Sequence, residues 1–272
     1  MPEEGAVASP SPPSRRRGGD SAVRVVVVHP DLLGTYGDGG NGLILSRRLQ
    51  WRGFAVELIE AMSDSQVPAS GDVYCLGGGE DAAQHRAAAE LAAGNPLGQA
   101  VDNGAAVLAV CAGFQVLGHR YPSADGQMRD GLGLIDIETR KGTGRRPVGE
   151  LVVTPSSGLG LPQMTGYENH GGLTSLGPGA QPLGHVDAGI GNGGGDGREG
   201  AVVGRVIGTY MHGPVLARNP ALADLILSSV VGTLDPLDDS EAESLRAERL
   251  QTVRIPGRSG RWHWRDRLTS RR

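Results

Sequence analysis

The run VRVVVV, Val23 to Val28, leaves few folds open. A nearly continuous β-branched stretch has no polar face, so it reads as a strand buried on both sides of a parallel sheet. A Gly-rich loop, HPDLLGTYGDGGN, follows. LILSRRLQWRG then spaces its apolar residues as a helix does and stops at Gly53. The same order recurs downstream. FAVELIEA reads as a second strand, DVYCLGGG as a short strand running into glycines, DAAQHRAAAELAAG as an Ala-rich helix, and AAVLAV as another buried strand. Strands alternating with helices at this spacing predict an α/β fold with a doubly wound, mostly parallel sheet. After residue 130 the pattern turns β-rich, through GLIDIETR, GELVVTP and AVVGRVIGTYMHG. Asp187 to Gly200 reads as a Gly-rich loop, and PALADLILSSVVG closes the domain as a helix.

With 272 residues the chain can hold one large domain and two tails. Residues 1–20 are rich in Pro, Ser and Arg and are expected to be disordered. Residues 21–232 make the domain. Residues 233–272 form an extension with a helix over SEAESLRAERL and a run, Arg261, Trp262, His263, Trp264, of the mixed charged and aromatic kind that docks on partners. A net charge of -4 argues against nucleic acid as a partner. No apolar stretch is long enough to span a membrane, and the N-terminus lacks the apolar core of a secretory signal, so a cytoplasmic location is expected. Cys75 and Cys111 each end an apolar run beside a Gly-containing turn, which fits free thiols in a reducing compartment.

AVLAVCAGFQVLGH, residues 106–119, carries the chemistry. An apolar strand ends at Cys111, two small residues follow, and a helix begins. A nucleophile on such an elbow sits above the sheet edge, where the helix dipole and free N–H groups favour a thiolate. Small neighbours are needed because the turn is crowded, as at the serine elbow of hydrolases. The Ala112 N–H can then face a developing oxyanion. LGGGED, residues 76–81, ends the preceding strand, and the N–H groups of Gly78 and Gly79 can supply the other half of an oxyanion hole. Cys75 has no elbow after it. A thiolate also needs a base that returns a proton to the leaving group. Of the seven histidines, His212 in VIGTYMHGP stands at the C-terminal end of a strand, where parallel-sheet sites gather. His119 is placed in the elbow helix and His85 in the Ala-rich helix; His29, His170 and His185 fall in loops.

Taken together and in this order, LGGGED, AVCAGFQVLG, GYENHGG and GTYMHGP resemble the cobyric-acid-synthase-type family of class I glutamine amidotransferases. TYGDGGN and RRPVGE look like its branch of glutaminase subunits of lipid II isoglutaminyl synthase. The resemblance spans residues 23–232. It implies Cys111 as nucleophile, His212 as general base and acid, and Arg146 as the arginine that holds glutamine, with Gln115 a further substrate contact; a planar guanidinium suits an α-carboxylate. Many amidotransferases place a Glu two residues after the catalytic His, whereas this chain has Pro214. Asp38 in TYGDGGN is the candidate to orient His212, with Glu168 and Asn169 as an alternative polar cluster.

Amide synthesis needs ATP, and the chain has no P-loop pattern around Lys141, its one lysine. No cofactor or metal is expected here; ATP and Mg belong to a partner. The resemblance makes that partner a MurT-type, Mur-ligase-like synthetase in a heterodimer, amidating the D-glutamate of the lipid II stem peptide. A glutaminase for another synthetase, such as a corrinoid amidase, is the alternative. A catalytically silent regulatory subunit and a PfpI-like single-chain enzyme are readings of other kinds.

Overall fold

The computed structural model describes residues 21–144 and 146–254. In chain order the elements are β1 (Val23–Val28), α1 (Gly40–Trp51), β2 (Val56–Ala61), β3 (Val73–Leu76), α2 (Asp81–Ala92), α3 (Pro96–Asp102), β4 (Ala106–Val110), α4 (Ala112–Leu117), β5 (Arg120–Pro122), β6 (Met128–Asp130), β7 (Ile137–Lys141) and β8 (Val148–Pro155). Then come β9 (Met164–Asn169), β10 (Gly172–Leu176), β11 (Gly184–Ala188), β12 (Arg198–Glu199), β13 (Ala201–Val203), β14 (Val206–Thr209), α5 (Val215–Arg218), α6 (Pro220–Val231) and α7 (Ser240–Arg254).

Six strands form the central sheet in the order β13-β14-β4-β3-β1-β2. All neighbours are parallel except β13, which pairs antiparallel with β14 at one edge. The α/β, doubly wound, mostly parallel sheet is therefore as the alternation predicts. Its middle strands are dry because helices cover both faces: α1 and α6 pack together on one, α2 and α4 on the other. Every residue of β3 and β4 is buried, as are Val25 to Val28 of β1. That double burial is why these strands read as unbroken apolar runs. Edge strand β2 is half wet, with Leu58 41% exposed.

The β-rich half folds into two small sheets, ordered β10-β7-β5-β6 and β12-β11-β8-β9. The second reaches the central sheet where the His212 N–H bonds the Tyr167 carbonyl at 2.8 Å. Three local expectations need correction. His185, expected in a loop, lies in β11 and pairs with Thr154 of β8. His119 lies beyond α4, which ends at Leu117, because Gly118 packs against Ile137 so closely that a Cβ there would be 2.6 Å from Ile137 Cγ1. The Asp187–Gly200 segment is less irregular than its glycines imply: Ala188 still belongs to β11 and Arg198–Glu199 is β12. Buried polar groups order the turn between them. Glu168 accepts the N–H groups of Ile190 and Gly191, both at 2.9 Å, and Asn192 bonds both the N–H and the carbonyl of Gly200. In the extension, α7 packs on α5 and β9, as a longer helix than SEAESLRAERL alone. Residues 1–20, Arg145 and the Arg261–Trp264 run lie outside the described residues.

Candidate active site

The strand order reverses between β1 and β3, since β2 lies on the far side of β1. In open α/β sheets the crevice at the carboxyl ends beside such a reversal is where ligands bind. Four adjacent strands deliver the candidate residues there. Asp38 follows β1, the Gly77–Gly79 turn follows β3, Cys111 follows β4, and His212 follows β14.

Cys111 adopts φ 51°, ψ -104°, a conformation non-glycine residues rarely take and one that costs on the order of 1–3 kcal/mol. The surroundings fix it. Its N–H bonds the Thr209 carbonyl at 2.9 Å, and the Gly113 N–H bonds the Gly77 carbonyl at 3.1 Å. A side chain at Gly113 would meet Leu76 Cβ at 2.7 Å, so the crowding expected of the elbow is real. Cys111 sits at the N-terminus of α4, whose first N–H groups have no intrahelical acceptor. Cys75, by contrast, is a core residue of β3, where burial pushes its thiol up to about 12.

His212 is buried at 1% exposure, with Nδ1 2.8 Å from Asp38 Oδ2. A carboxylate accepts, so Nδ1 carries the proton and Nε2 is left free. Nε2 has no hydrogen-bond partner among the described residues. Burial opposes the imidazolium, but Asp38 and the nearby Cys111 outweigh it and lift His212 to about 9. Asp38 is itself held by the N–H groups of Gly78 at 2.9 Å and Gly213 at 3.3 Å. Glycine is required at position 78, because a Cβ there would lie 2.6 Å from His212 Cε1. The alternative orienting cluster is occupied elsewhere: Glu168 holds the turn at Ile190, and Asn169 bonds Arg146 and Tyr36.

This geometry alters the expected oxyanion hole. The Gly78 N–H is taken by Asp38, because the glycine turn passes under the histidine's carboxylate partner. Gly79 and Ala112 both line the pocket beside Cys111 and remain as candidate donors. That pocket, about 200 Å³, is smaller than the roughly 300–1,000 Å³ of sites for drug-sized ligands. Arg146, Gln115, Gln84, Lys141, Asp81 and His170 supply its polar side chains together with Ser123. Arg146 donates from Nε to Asn169 Oδ1 at 2.6 Å and from Nη2 to the Asn169 carbonyl at 3.2 Å. Those bonds use one edge of the guanidinium and leave the Nη1 edge for a carboxylate. The Gln115 amide is braced inside the wall: Oε1 accepts from Gln84 Nε2 at 2.8 Å, and Nε2 donates to the Tyr210 hydroxyl at 3.1 Å.

Sequence reasoning left His170 open, yet the structure buries it in the pocket wall, stacked on Tyr210 with ring centroids 3.8 Å apart. Its Nε2 lies 3.7 Å from Glu168. Behind it Glu199 accepts from Thr209 Oγ1 and the Tyr210 N–H, both at 2.7 Å. Burial pushes the Glu199 carboxyl up to about 7, and the charge of Glu168 adds to the shift. The GYENHGG motif was the available signal for Glu168 and His170. For Glu199, in a Gly-rich stretch, there was none.

Fold and geometry together define a class, a doubly wound sheet with the equipment of a cysteine hydrolase. The chain belongs to the CobB/CobQ-like glutamine amidotransferase family, whose model matches residues 24–220. It is 35% identical over 199 residues to the lipid II isoglutaminyl synthase (glutamine-hydrolyzing) subunit GatD of Staphylococcus aureus strain N315, covering 72% of this chain and 79% of that one. It is 33% identical over 211 residues to the GatD subunit of Streptococcus pneumoniae strain ATCC BAA-255 / R6, covering 77% of this chain and 80% of that one. A crystal structure of a glutamine amidotransferase superposes with a TM-score of 0.52 at 19% identity, over 77% of this chain and 99% of the other, which shows the shared fold. The protein is a glutamine-hydrolysing enzyme subunit.

Proposed function

We propose that the chain hydrolyses glutamine through a Cys111 thioester and supplies the ammonia to a MurT-type, Mur-ligase-like ATPase, which amidates the D-glutamate of the lipid II stem peptide. The observation that carries the chemistry is the strained elbow at Cys111 close to a histidine that a buried carboxylate holds in one tautomer. The acceptor rests on the two relatives, both subunits of lipid II isoglutaminyl synthase and both matched over most of their length.

In this reading glutamine lies with its α-carboxylate on the free edge of Arg146 and its side-chain amide over Cys111. The thiolate attacks the amide carbon, and the N–H groups of Gly79 and Ala112 receive the oxyanion. Imidazolium His212 gives its Nε2 proton to the departing ammonia, and the thioester forms. Nε2 then takes a proton from water, the hydroxide adds to the thioester, and collapse releases glutamate and restores the thiolate. A proton that His212 lends in the first half is thus regained in the second. Ammonia passes to the partner shielded from water, since free ammonia at neutral pH would be mostly protonated. No helix of the described residues is long and apolar enough to cross a membrane.

The test is to capture the tagged chain from its native cell and assay the complex. Wild type is expected to bring down a Mur-ligase-like ATPase. Cys111→Ser is expected to bring down the same partner while glutamine hydrolysis falls to background. Retained hydrolysis would remove Cys111 from the mechanism; capture of a different synthetase, such as a corrinoid amidase, would replace the acceptor and leave the Cys111/His212 chemistry standing.

A further inference from the structure

We infer that Asn169 and Tyr36 tether the grip on glutamine to the general base, so that a filled Arg146 steadies His212. The inference rests on the reading of Arg146 as the holder of the α-carboxylate. Asn169, the last residue of β9, engages both ends of its side-chain amide in one line of contacts. Its Oδ1 accepts from Arg146 Nε at 2.6 Å, and its Nδ2 donates to the Tyr36 hydroxyl. The Tyr36 ring in turn meets His212 edge to face, with centroids 4.8 Å apart and an interplanar angle of 63°. The path from substrate carboxylate to catalytic imidazole is therefore three side chains long.

Tyr36 is an expensive choice for that place. Its φ is +63°, in the left-handed region that bulky side chains rarely occupy. The turn is pinned on both sides: the Thr35 N–H bonds the Gly78 carbonyl at 3.1 Å, and Gly37, itself at φ +76°, bonds the Gly34 carbonyl at 3.3 Å. The strained turn leaves the ring 46% exposed while His212 beside it is 1% exposed, so Tyr36 stands between the imidazole and solvent. Unlike Asp38, which grips Nδ1 whether or not substrate is present, the Tyr36 contact is linked to a residue that gains a charged partner on its free edge when glutamine arrives. Asn169 and Tyr36 are positioning residues: they act through Arg146 and His212 and touch no reacting atom.

A double-mutant cycle on the full-length chain, in complex with its synthetase, tests the coupling. Arg146→Ala is expected to raise KM for glutamine more than tenfold. Tyr36→Phe removes one hydroxyl and keeps the ring, and in the wild-type background it is expected to lower kcat roughly fivefold, about one hydrogen bond's worth, with KM within twofold. In the Arg146→Ala background the same change is expected to cost nothing further. Asn169→Ala, which cuts both ends of the tether, is expected to combine the raised KM with the lowered kcat. A raised KM in Arg146→Ala together with an equal Tyr36→Phe loss in both backgrounds would overturn the tether alone. An unchanged KM in Arg146→Ala would overturn the glutamine-holding role of Arg146, and the tether with it.

Discussion

At the scale of single residues, the site is organised around one buried carboxylate. Asp38 meets His212 Nδ1 and the N–H groups of Gly78 and Gly213, so it fixes the imidazole and the glycine turn at once. Asp38→Asn keeps the shape and loses the charge. Hydrolysis is expected to drop on the order of 10²- to 10⁴-fold, the range seen when a histidine loses the carboxylate that sets its tautomer. His212 should at the same time fall from about 9 toward its ordinary value of 6.5, and the alkaline limb of kcat against pH should move down with it. A limb that stays in place in Asp38→Asn would mean that another group sets it. Pro214 fills the position two residues after His212, and the carboxylate on His212 comes instead from a residue 174 positions before it. Sequence alone could nominate Asp38 from TYGDGGN. Its cost, the Gly78 N–H withdrawn from the oxyanion hole, was visible only once the two loops were side by side.

At the scale of elements, legibility followed burial and length. Strands β1, β3 and β4 were plain in the sequence because burial on both faces writes an unbroken apolar run. The elbow was plain because a strand, a cysteine and small residues must be contiguous there. Strands β5, β6 and β12 are two or three residues long, too short for any periodicity to register. The order of the turn at Ile190 comes from Glu168, 22 residues upstream, and local composition cannot report such a partner. The same buried acids predict a pH signature for the folded state. Glu199 holds its proton to about 7 in the native protein, whereas in the unfolded chain it would release it near 4.5. Between those values the native state binds more protons, so stability falls as pH rises. His212 extends the fall from 6.5 to about 9, since it too keeps its proton longer when folded. Glu199→Gln is expected to flatten the first window and leave the second, raising stability at pH 8 by at most on the order of 3 kcal/mol. Denaturant midpoints at pH 5 and pH 8 measure it; an unchanged difference between them would mean that Glu199 does not hold that proton.

At the scale of the whole molecule, one central sheet supplies the residues around Cys111 and two small sheets supply the wall that carries Arg146 and His170. The family match begins at residue 24, one residue into β1. Removing residues 1–20 is accordingly expected to leave kcat and KM for glutamine within twofold; a tenfold loss would assign those residues a part in the site. At the other end, Arg48 in α1 bonds Asp224 of α6 and Asp239, at distances from 2.6 to 2.9 Å, and so ties the start of the extension to the domain.

The order of the strands also has a consequence during synthesis. Cys111 follows the fourth strand made, but His212 follows β14, which inserts between β4 and β13. About a hundred residues separate Cys111 from His212. At ~5–20 residues per second, translation takes roughly 5–20 s to cross that interval. Throughout it a nascent chain holds Cys111 without His212, and on the proposed mechanism no part-made copy can draw on the cell's glutamine.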